Sequence, residues 1–367
     1  MDCEYAIVGA GLAGFTSYAT LRHAGVAAAE IAVFGDDPDP AASWRPRALA
    51  IRQRRMRSES DGHCYPRSFP GLAPREAVRR RSLTPLALSA WDRYRPTVDE
   101  FLDHVHALRA SCRWDESFRG VRIGRITATR GGFLLDGHGP FRHVLLALGH
   151  PGLELPAELA ADPRVVHAYA PHDYADDIEI VGAGMAAATE WLNALEAGAS
   201  VTSVRRREPA RRPLNVARPL FSKRGLASFH AASRMRRCEL LLGYGMPSYP
   251  PGRAWDDPID RAMSEGRFRV TTQLDGAPQV ICATGFQRGF THDALLRRLV
   301  ADHDLETELR WVVLDRDGSV AALSDDTRTL ALTGIAAQWA YPAADTLVGM
   351  KYLARRFLRR TSRCRSR

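Results

Sequence analysis

The stretch Tyr5-Ala6-Ile7-Val8-Gly9-Ala10-Gly11-Leu12-Ala13-Gly14 decides the fold. Residues 4–8 read as a short buried strand, and a helical pattern runs from Leu12 to about His23, where Gly25 closes it. Glu30-Ile31-Ala32-Val33-Phe34 is a second strand, ending in Gly35-Asp36-Asp37. Strand, glycine turn, helix and strand thus follow within about 35 residues, the opening of a dinucleotide-binding unit. Each glycine has a task. Gly9 permits the tight turn, Gly11 lets backbone N–H groups approach a pyrophosphate, and Gly14 lets helix and strand pack closely. Asp36, or Asp37 beside it, is placed to accept hydrogen bonds from a ribose 2′-hydroxyl.

The motif recurs. Ile178-Glu179-Ile180-Val181 is a strand, Gly182-Ala183-Gly184-Met185-Ala186-Ala187 is the turn, and Thr189–Ala197 is helical. Ala187 takes the place of the third glycine, a permitted variation. Gly198 ends the helix, and the strand Val201–Val204 closes on Arg205-Arg206-Arg207 where the first unit has its aspartate. Guanidinium groups pair with a 2′-phosphate that a carboxylate would repel. Arg205 and Arg206 therefore point to NADPH, and the acidic end of the first unit suits FAD. Two such units imply a bound flavin and a transient nicotinamide, with hydride passing between the rings.

Outside the two turns the reading is coarser. Residues 38–90 are rich in Pro, Arg and Ser and read as irregular structure with short helices covering a cofactor. Val98, Phe101, Leu102, Val105 and Leu108 have helical spacing after Pro96 and the cap candidate Thr97. Residues 120–136 suggest a hairpin turning at Gly131-Gly132, and Phe141–Leu148 a buried strand stopped by Gly149. Residues 208–268 read as irregular with helical patches, and Val280–Phe286 as a strand running into Gly285. Thr329–Thr333 is a last strand, followed by a closing helix from about Asp345 to Arg360, capped by Asp345-Thr346.

Composition excludes several classes. A chain of 367 residues with 45% hydrophobic and 25% charged residues buries a sizeable core. No apolar run approaches the roughly 20 residues needed to cross a bilayer, and the first residues lack a basic leader pattern, so a cytoplasmic protein without a membrane partner is expected. The net charge of +9 is almost all arginine, since Lys223 and Lys351 are the only lysines. Spread along the chain, with a surplus in the last helical turns, it reads as compositional bias and not as a nucleic-acid site. The six cysteines, at positions 3, 64, 112, 238, 282 and 364, form no C-x-x-C pair, which removes a zinc knuckle and a redox dithiol.

With both units placed, the chain resembles the two-dinucleotide-binding flavoproteins, and among them the flavin-containing monooxygenases and N-hydroxylases. The resemblance rests on Gly9–Gly14, Leu146-Ala147-Leu148-Gly149-His150-Pro151, Gly182–Ala187 and Ala283-Thr284-Gly285-Phe286. Ser43-Trp44-Arg45 is similar to the family's tryptophan segment, Tyr94–Leu108 to its Pro-initiated helix, and Val166-His167-Ala168-Tyr169 to its histidine stretch. Gly35 stands where many relatives carry the ribose-binding glutamate, which leaves that duty to Asp36. The resemblance implies an α/β fold of two nested Rossmann-like domains of the three-layer ββα type. Residues 1–150 and 290–367 would bind FAD, and the inserted 151–289 would bind NADPH. It adds Trp44, Arg45, Gly149, Thr284, Gly285 and Asp345 to the expected cofactor contacts. It also sets residues 56–66 against the flavin ring, where Arg57, Ser58, Asp61 and His63 are the catalytic candidates.

Electrons on a reduced flavin can go to a disulfide, a protein carrier or oxygen, and the cysteine spacing removes the first. The expected function is an NADPH-dependent monooxygenase that uses molecular oxygen on a nitrogen or sulfur of a small molecule. A reductase serving a carrier protein and a non-catalytic flavin-binding redox sensor are the alternatives.

Overall fold

The computed structural model describes residues 3–56, 71–90, 94–212 and 216–365. The strands of the first unit are β1 (Tyr5–Val8), β2 (Ile31–Phe34) and β3 (Phe118–Arg119), with helix α1 (Leu12–His23) between the first two. Helix α2 (Arg45–Ala50) and helix α3 (Val98–Ser111) precede β3. An antiparallel set, β4 (Ile126–Thr129), β5 (Gly132–Leu135) and β6 (His138–Phe141), leads into β7 (His143–Leu146). Then come β8 (Val165–His167), β9 (Asp177–Val181), helix α4 (Met185–Glu196), β10 (Ser200–Val204), β11 (Phe268–Thr271) and β12 (Gln279–Cys282). Strand β13 (Thr329–Leu332) and helix α5 (Leu347–Arg365) close the fold.

Two parallel five-stranded sheets result. The first has the order β13-β7-β1-β2-β3 and the second β11-β10-β9-β12-β8. Residues 165–282, which form the second sheet, lie in sequence between β7 and β13 of the first. The fold is therefore α/β with nested parallel sheets.

Alternation along the first sheet builds three layers. Ala6, Val8, Ala32, Phe34, Val144 and Leu146 face a core shared with Phe133 and Leu135 of the antiparallel set. Tyr5, Ile7, Ile31, Val33 and Leu145 face the opposite side, packing with Phe15 and Leu21 of α1 and Phe101 of α3. Because a strand's side chains alternate with period two, burial on both faces makes β1, β2 and β7 buried throughout, as a parallel sheet requires.

Several elements differ from the sequence reading. Phe141 ends β6 instead of starting β7, because it pairs with Phe133 across the antiparallel set. Within the Arg-rich stretch 208–268 three helices form, Lys223–Ala231, Arg234–Tyr244 and Arg253–Ser264, the first two capped by Ser222 and Ser233. Leu226, Phe229 and Leu241 of the first two helices pack into the core of the first sheet with Trp339 and Tyr341. Thr97 caps α3 through a reciprocal bond with Glu100, as its spacing predicts. Among the described residues no helix is long and apolar enough to cross a membrane.

Candidate functional site

The first glycine turn is shaped by contacts that a side chain would break. Gly9 has φ +109°, and a Cβ there would lie 2.2 Å from the Ala147 carbonyl oxygen of the neighbouring strand. A Cβ on Gly14 would lie 1.9 Å from the Gly9 carbonyl oxygen, so α1 can sit this close to β1 only with glycine there. Gly11 is different. Nothing lies within 4 Å of the position its Cβ would take. It is the N-cap of α1, no side chain caps the helix, and the first helical bond is Phe15 N–H to Gly11 carbonyl at 2.9 Å. The amides of the opening turn are thus left for a ligand at the positive end of the helix dipole.

The second turn repeats this construction. Gly182 has φ +134°, with its Cβ position 2.6 Å from the Ala283 carbonyl oxygen, and the space at Gly184 is open. Ala187 is buried, and its Cβ is 3.6 Å from where a Cβ on Gly182 would sit. That is ordinary van der Waals contact, which is why alanine serves in the third place. The first bond of α4 joins Ala188 N–H to Gly184 carbonyl at 2.9 Å.

Both turns border one cleft of about 840 Å³. Gly9, Gly11 and Leu12 line it from one unit, and Met185, Ala186 and Thr189 of the first turns of α4 line it from the other. Its size suits a ligand of cofactor class. At the outer end Asp36 lies on the wall, two-thirds exposed, with its carboxylate 4.0 Å from Arg122 Nε. A Cβ on Gly35 would sit 2.5 Å from Ala10 Cβ, so position 35 has no room for a glutamate. The acidic group follows one residue later. Trp44 lines the cleft and packs edge-on against Phe101. Arg45 pairs with Asp39 at 2.7 Å, while Arg47 lines the cleft instead.

Where the chain crosses between the sheets, four rings stack. His150 lies on Phe286 at 4.3 Å, Phe286 on Tyr169 at 4.7 Å, and Tyr169 on His167 at 5.6 Å. Arg47 sits over the Phe286 ring. The two crossing segments pair through Glu154 N–H to Gly285 carbonyl and Gln287 N–H to Gly152 carbonyl. Gly285 and Gly149 take φ +87° and +71°, and the Thr284 hydroxyl donates to the Glu154 carbonyl. His150 Nδ1 is sealed from solvent and has no partner among the described residues. Burial, helped by the charges of Arg288 and Arg47, pushes the His150 pKa down to about 4.

The remaining expected contacts fall in different places. Arg205 is mostly buried, pairs with Glu208 at 2.9 Å and lies over Trp191, whereas the exposed Arg206 is 3.7 Å from Glu158. Asp345 is part-buried, and burial pushes its pKa up while Arg288 pulls it back. The N-terminus of α5 is capped by Thr346, whose hydroxyl accepts Gly349 N–H at 3.0 Å. Arg57, Ser58, Asp61 and His63 lie outside the described residues. Arg47 is a cleft residue that the sequence reading did not name, and Tyr169 and Phe286 entered it only within the motifs of the resemblance, with no cofactor role. An aromatic directly after a strand-ending glycine, as in Gly285-Phe286, was the available signal.

Among the described residues no cysteine lines the cleft. Cys3, Cys112, Cys238 and Cys282 are free thiols. Burial pushes the thiols of Cys112, Cys238 and Cys282 up, that of Cys282 to about 11. No group of metal-ligating side chains occurs among the described residues.

The architecture has counterparts among solved structures. The ornithine N-hydroxylase of Kutzneria sp. 744, whose structure holds reduced FAD, NADP⁺ and L-ornithine, matches with a TM-score of 0.74 at 14% identity, covering 100% of both chains. The ornithine hydroxylase of Pseudomonas aeruginosa matches with a TM-score of 0.70 at 17% identity, covering 100% of this chain and 99% of that one. This chain shares the fold of the ornithine N-hydroxylases. A bacillithiol disulfide reductase from Bacillus cereus shows the same flavoprotein fold more distantly, with a TM-score of 0.57 at 10% identity and 100% coverage of both chains. No family profile matches the sequence, and no curated protein matches it.

Proposed function

We propose that this protein is a cytoplasmic FAD- and NADPH-dependent monooxygenase that hydroxylates a nitrogen of a small molecule. The observation that supports the reading is that the glycine turn before α1 and the first residues of α4, from two nested sheets, line one cleft. In this reading residues 1–150 and 290–367 form the FAD domain and 151–289 the NADPH domain. Bound FAD would take up hydride from NADPH and pass the electron pair on to oxygen.

The chain's own residues supply binding and orientation. The open backbone at Gly11 and the amides of the α1 opening turn would hold the FAD pyrophosphate, and Asp36 the adenosine ribose. Gly184 and the opening of α4 would hold the NADPH pyrophosphate, with Arg205 and Arg206 on the 2′-phosphate. The stack of His150, Phe286 and Tyr169 would wall the space between the rings, and its neutral imidazole would offer a hydrogen bond without adding charge. Arg57, Ser58, Asp61 and His63 are assigned to the flavin-facing wall. One amine, one O₂, one NADPH and one proton give one hydroxylamine, one NADP⁺ and one water. The nitrogen specificity draws on the two N-hydroxylase neighbours.

The test is incubation of the purified protein with NADPH, ¹⁸O₂ and a panel of primary amines. Product carrying one ¹⁸O on nitrogen is expected. Rapid reduction of an added carrier protein with no oxygenated product would make a reductase the better answer.

A further inference from the structure

Helix α2 belongs to the first unit, yet its C-terminal end runs along α4 of the second. The Ile51 carbonyl, just past α2, accepts Asn193 Nδ2–H at 2.9 Å, and Arg54 pairs with Glu196 at 3.1 Å. From one bond to the next both segments advance by the same step, so they run in the same direction. Carried back by one helical turn, that register sets Arg47 level with Thr189, near the start of α4. Both residues line the cleft, together with Met185 and Ala186 of the α4 opening turn.

Arg47 has no carboxylate to answer its charge. Its half-buried guanidinium lies 5.1 Å from the centre of the Phe286 ring, and no acid pairs with it among the described residues. On the same segment Arg45, Arg52 and Arg54 each face an acid, Asp39, Asp173 and Glu196. Burial pushes the Arg47 pKa below its ordinary value, and only the Tyr169 hydroxyl pulls it back. Its charge bears instead on His150 and His167, where it opposes protonation. Glu190, the buried carboxylate of the second turn of α4, is taken by His172 and Tyr174.

The opening of α4 lacks an anion as well. Gly184 is its N-cap, no side chain caps it, and its first turn carries no acidic residue. The amides of Met185, Ala186 and Ala187 therefore have no helical partner, at the positive end of the helix dipole. Phe286, under Arg47, stands three residues after Ala283, whose carbonyl oxygen packs against the Gly182 turn. Backbone donors and a guanidinium from the other unit thus border one part of the cleft.

We propose that Arg47 reaches across from the first unit to grip the pyrophosphate of NADPH seated on α4, so that the nucleotide is held between both units. This role rests on the reading of the second turn as the NADPH site. A guanidinium meets a phosphate through two parallel charge-assisted hydrogen bonds, which contact with one phenyl ring does not match. NADPH and NADH share the pyrophosphate, so Arg47 acts on how tightly either binds and not on the choice between them. Release of the nucleotide then requires this contact between the units to break.

The experiment is isothermal titration of the FAD-loaded protein with NADP⁺, ADP-ribose and 2′-AMP. ADP-ribose carries the pyrophosphate without the 2′-phosphate, and 2′-AMP the reverse. R47Q should weaken NADP⁺ and ADP-ribose by at least about tenfold each, while 2′-AMP affinity and FAD content stay unchanged. R47K, which keeps the charge but loses the planar fork, should recover part of the loss. Unchanged affinities in R47Q overturn the proposal. So does a loss of FAD with NADP⁺ affinity intact, which would assign Arg47 to the flavin. An equal weakening of 2′-AMP overturns it too, because the residue would then act through the fold or the 2′-phosphate. If the unmodified protein binds FAD but none of the three nucleotides, the NADPH reading falls and takes this role with it.

Discussion

The substitution Gly11→Val separates what the fold needs from what the ligand needs. Gly11 has φ −73° and ψ −171°, a conformation open to any residue, and nothing lies within 4 Å of its Cβ position. A Cβ there meets no protein atom, so the apo-protein should lose only the cost of a poorer N-cap, about 1 kcal/mol. The space it fills is the path by which a pyrophosphate reaches the amides of the α1 opening turn. Pushing the phosphate away by a side chain's thickness removes at least two hydrogen bonds to a charged group, each worth about 1.5–3 kcal/mol. The FAD dissociation constant should therefore rise by about 10² to 10⁴. Flavin content after gel filtration and titration of the apo-protein with FAD read the second effect. Thermal unfolding of both apo-proteins reads the first, since bound ligand would otherwise inflate the stability of the parent by mass action. Gly9→Ala is the counter-variant. Its Cβ would sit 2.2 Å from a backbone oxygen, and it should lose stability whether or not flavin is present. Full flavin occupancy in Gly11→Val would refute the reasoning, and so would an unfolded apo-protein.

Gly184→Val should act in the same way on the second turn, weakening NADPH at least about tenfold while FAD content stays unchanged; a joint loss of both would show that the turns are not independent. Removing the charges of Arg205 and Arg206 together should cut the preference for NADPH over NADH by about tenfold or more, read as the ratio of kcat/KM values. Retained discrimination would place the 2′-phosphate elsewhere. For His150 the sign follows from a folded pKa of about 4 against an ordinary value of 6.5. The unfolded chain binds the extra proton first, so stability should fall as pH drops from 6.5 to 4, by at most about 3 kcal/mol. His150→Phe should flatten that slope in chemical unfolding measured across the window, and an unchanged slope would contradict the assignment.

The parts legible in the sequence are those set by local backbone chemistry. Gly9 and Gly182 announce themselves because a left-handed φ and a backbone oxygen within 3 Å leave no other residue possible. The strand alternation of β1, β2 and β7 is equally visible, since each face has its own core. What was hidden depends on residues far apart in sequence. His172 Nε2 lies 3.1 Å from Glu190, and the Tyr174 hydroxyl donates to the same oxygen at 2.7 Å. No spacing rule joins those three, because one comes from α4 and two from the segment after β8. The helices Lys223–Ala231 and Arg234–Tyr244 show in the sequence only as helical patches because their apolar positions pack against the first sheet across sequence, and arginines crowd their exposed face. Arg205 and Arg206, adjacent in sequence, turn to different carboxylates on Glu208 and Glu158, which adjacency alone could not foretell.

The fold itself does not choose between an oxygenase and a disulfide reductase, since solved structures of both kinds share it. The choice turns on what meets the electron pair at the cleft. Disulfide reduction needs a thiolate that can attack and leave, and thiolate character falls as the thiol pKa rises. Cys112, Cys238 and Cys282 are buried with raised pKa values, and Cys3 donates to the Ala29 carbonyl away from the cleft wall. Cys64 lies outside the described residues, and no second cysteine stands near it in sequence. A single thiol without a resolving partner cannot cycle as a dithiol. Under the proposed function the electron pair would then leave on a diffusible acceptor, and a small acceptor fits a cleft already walled by His150, Phe286 and Tyr169 more readily than a protein carrier does. In the same proposed function, oxygen would meet that demand.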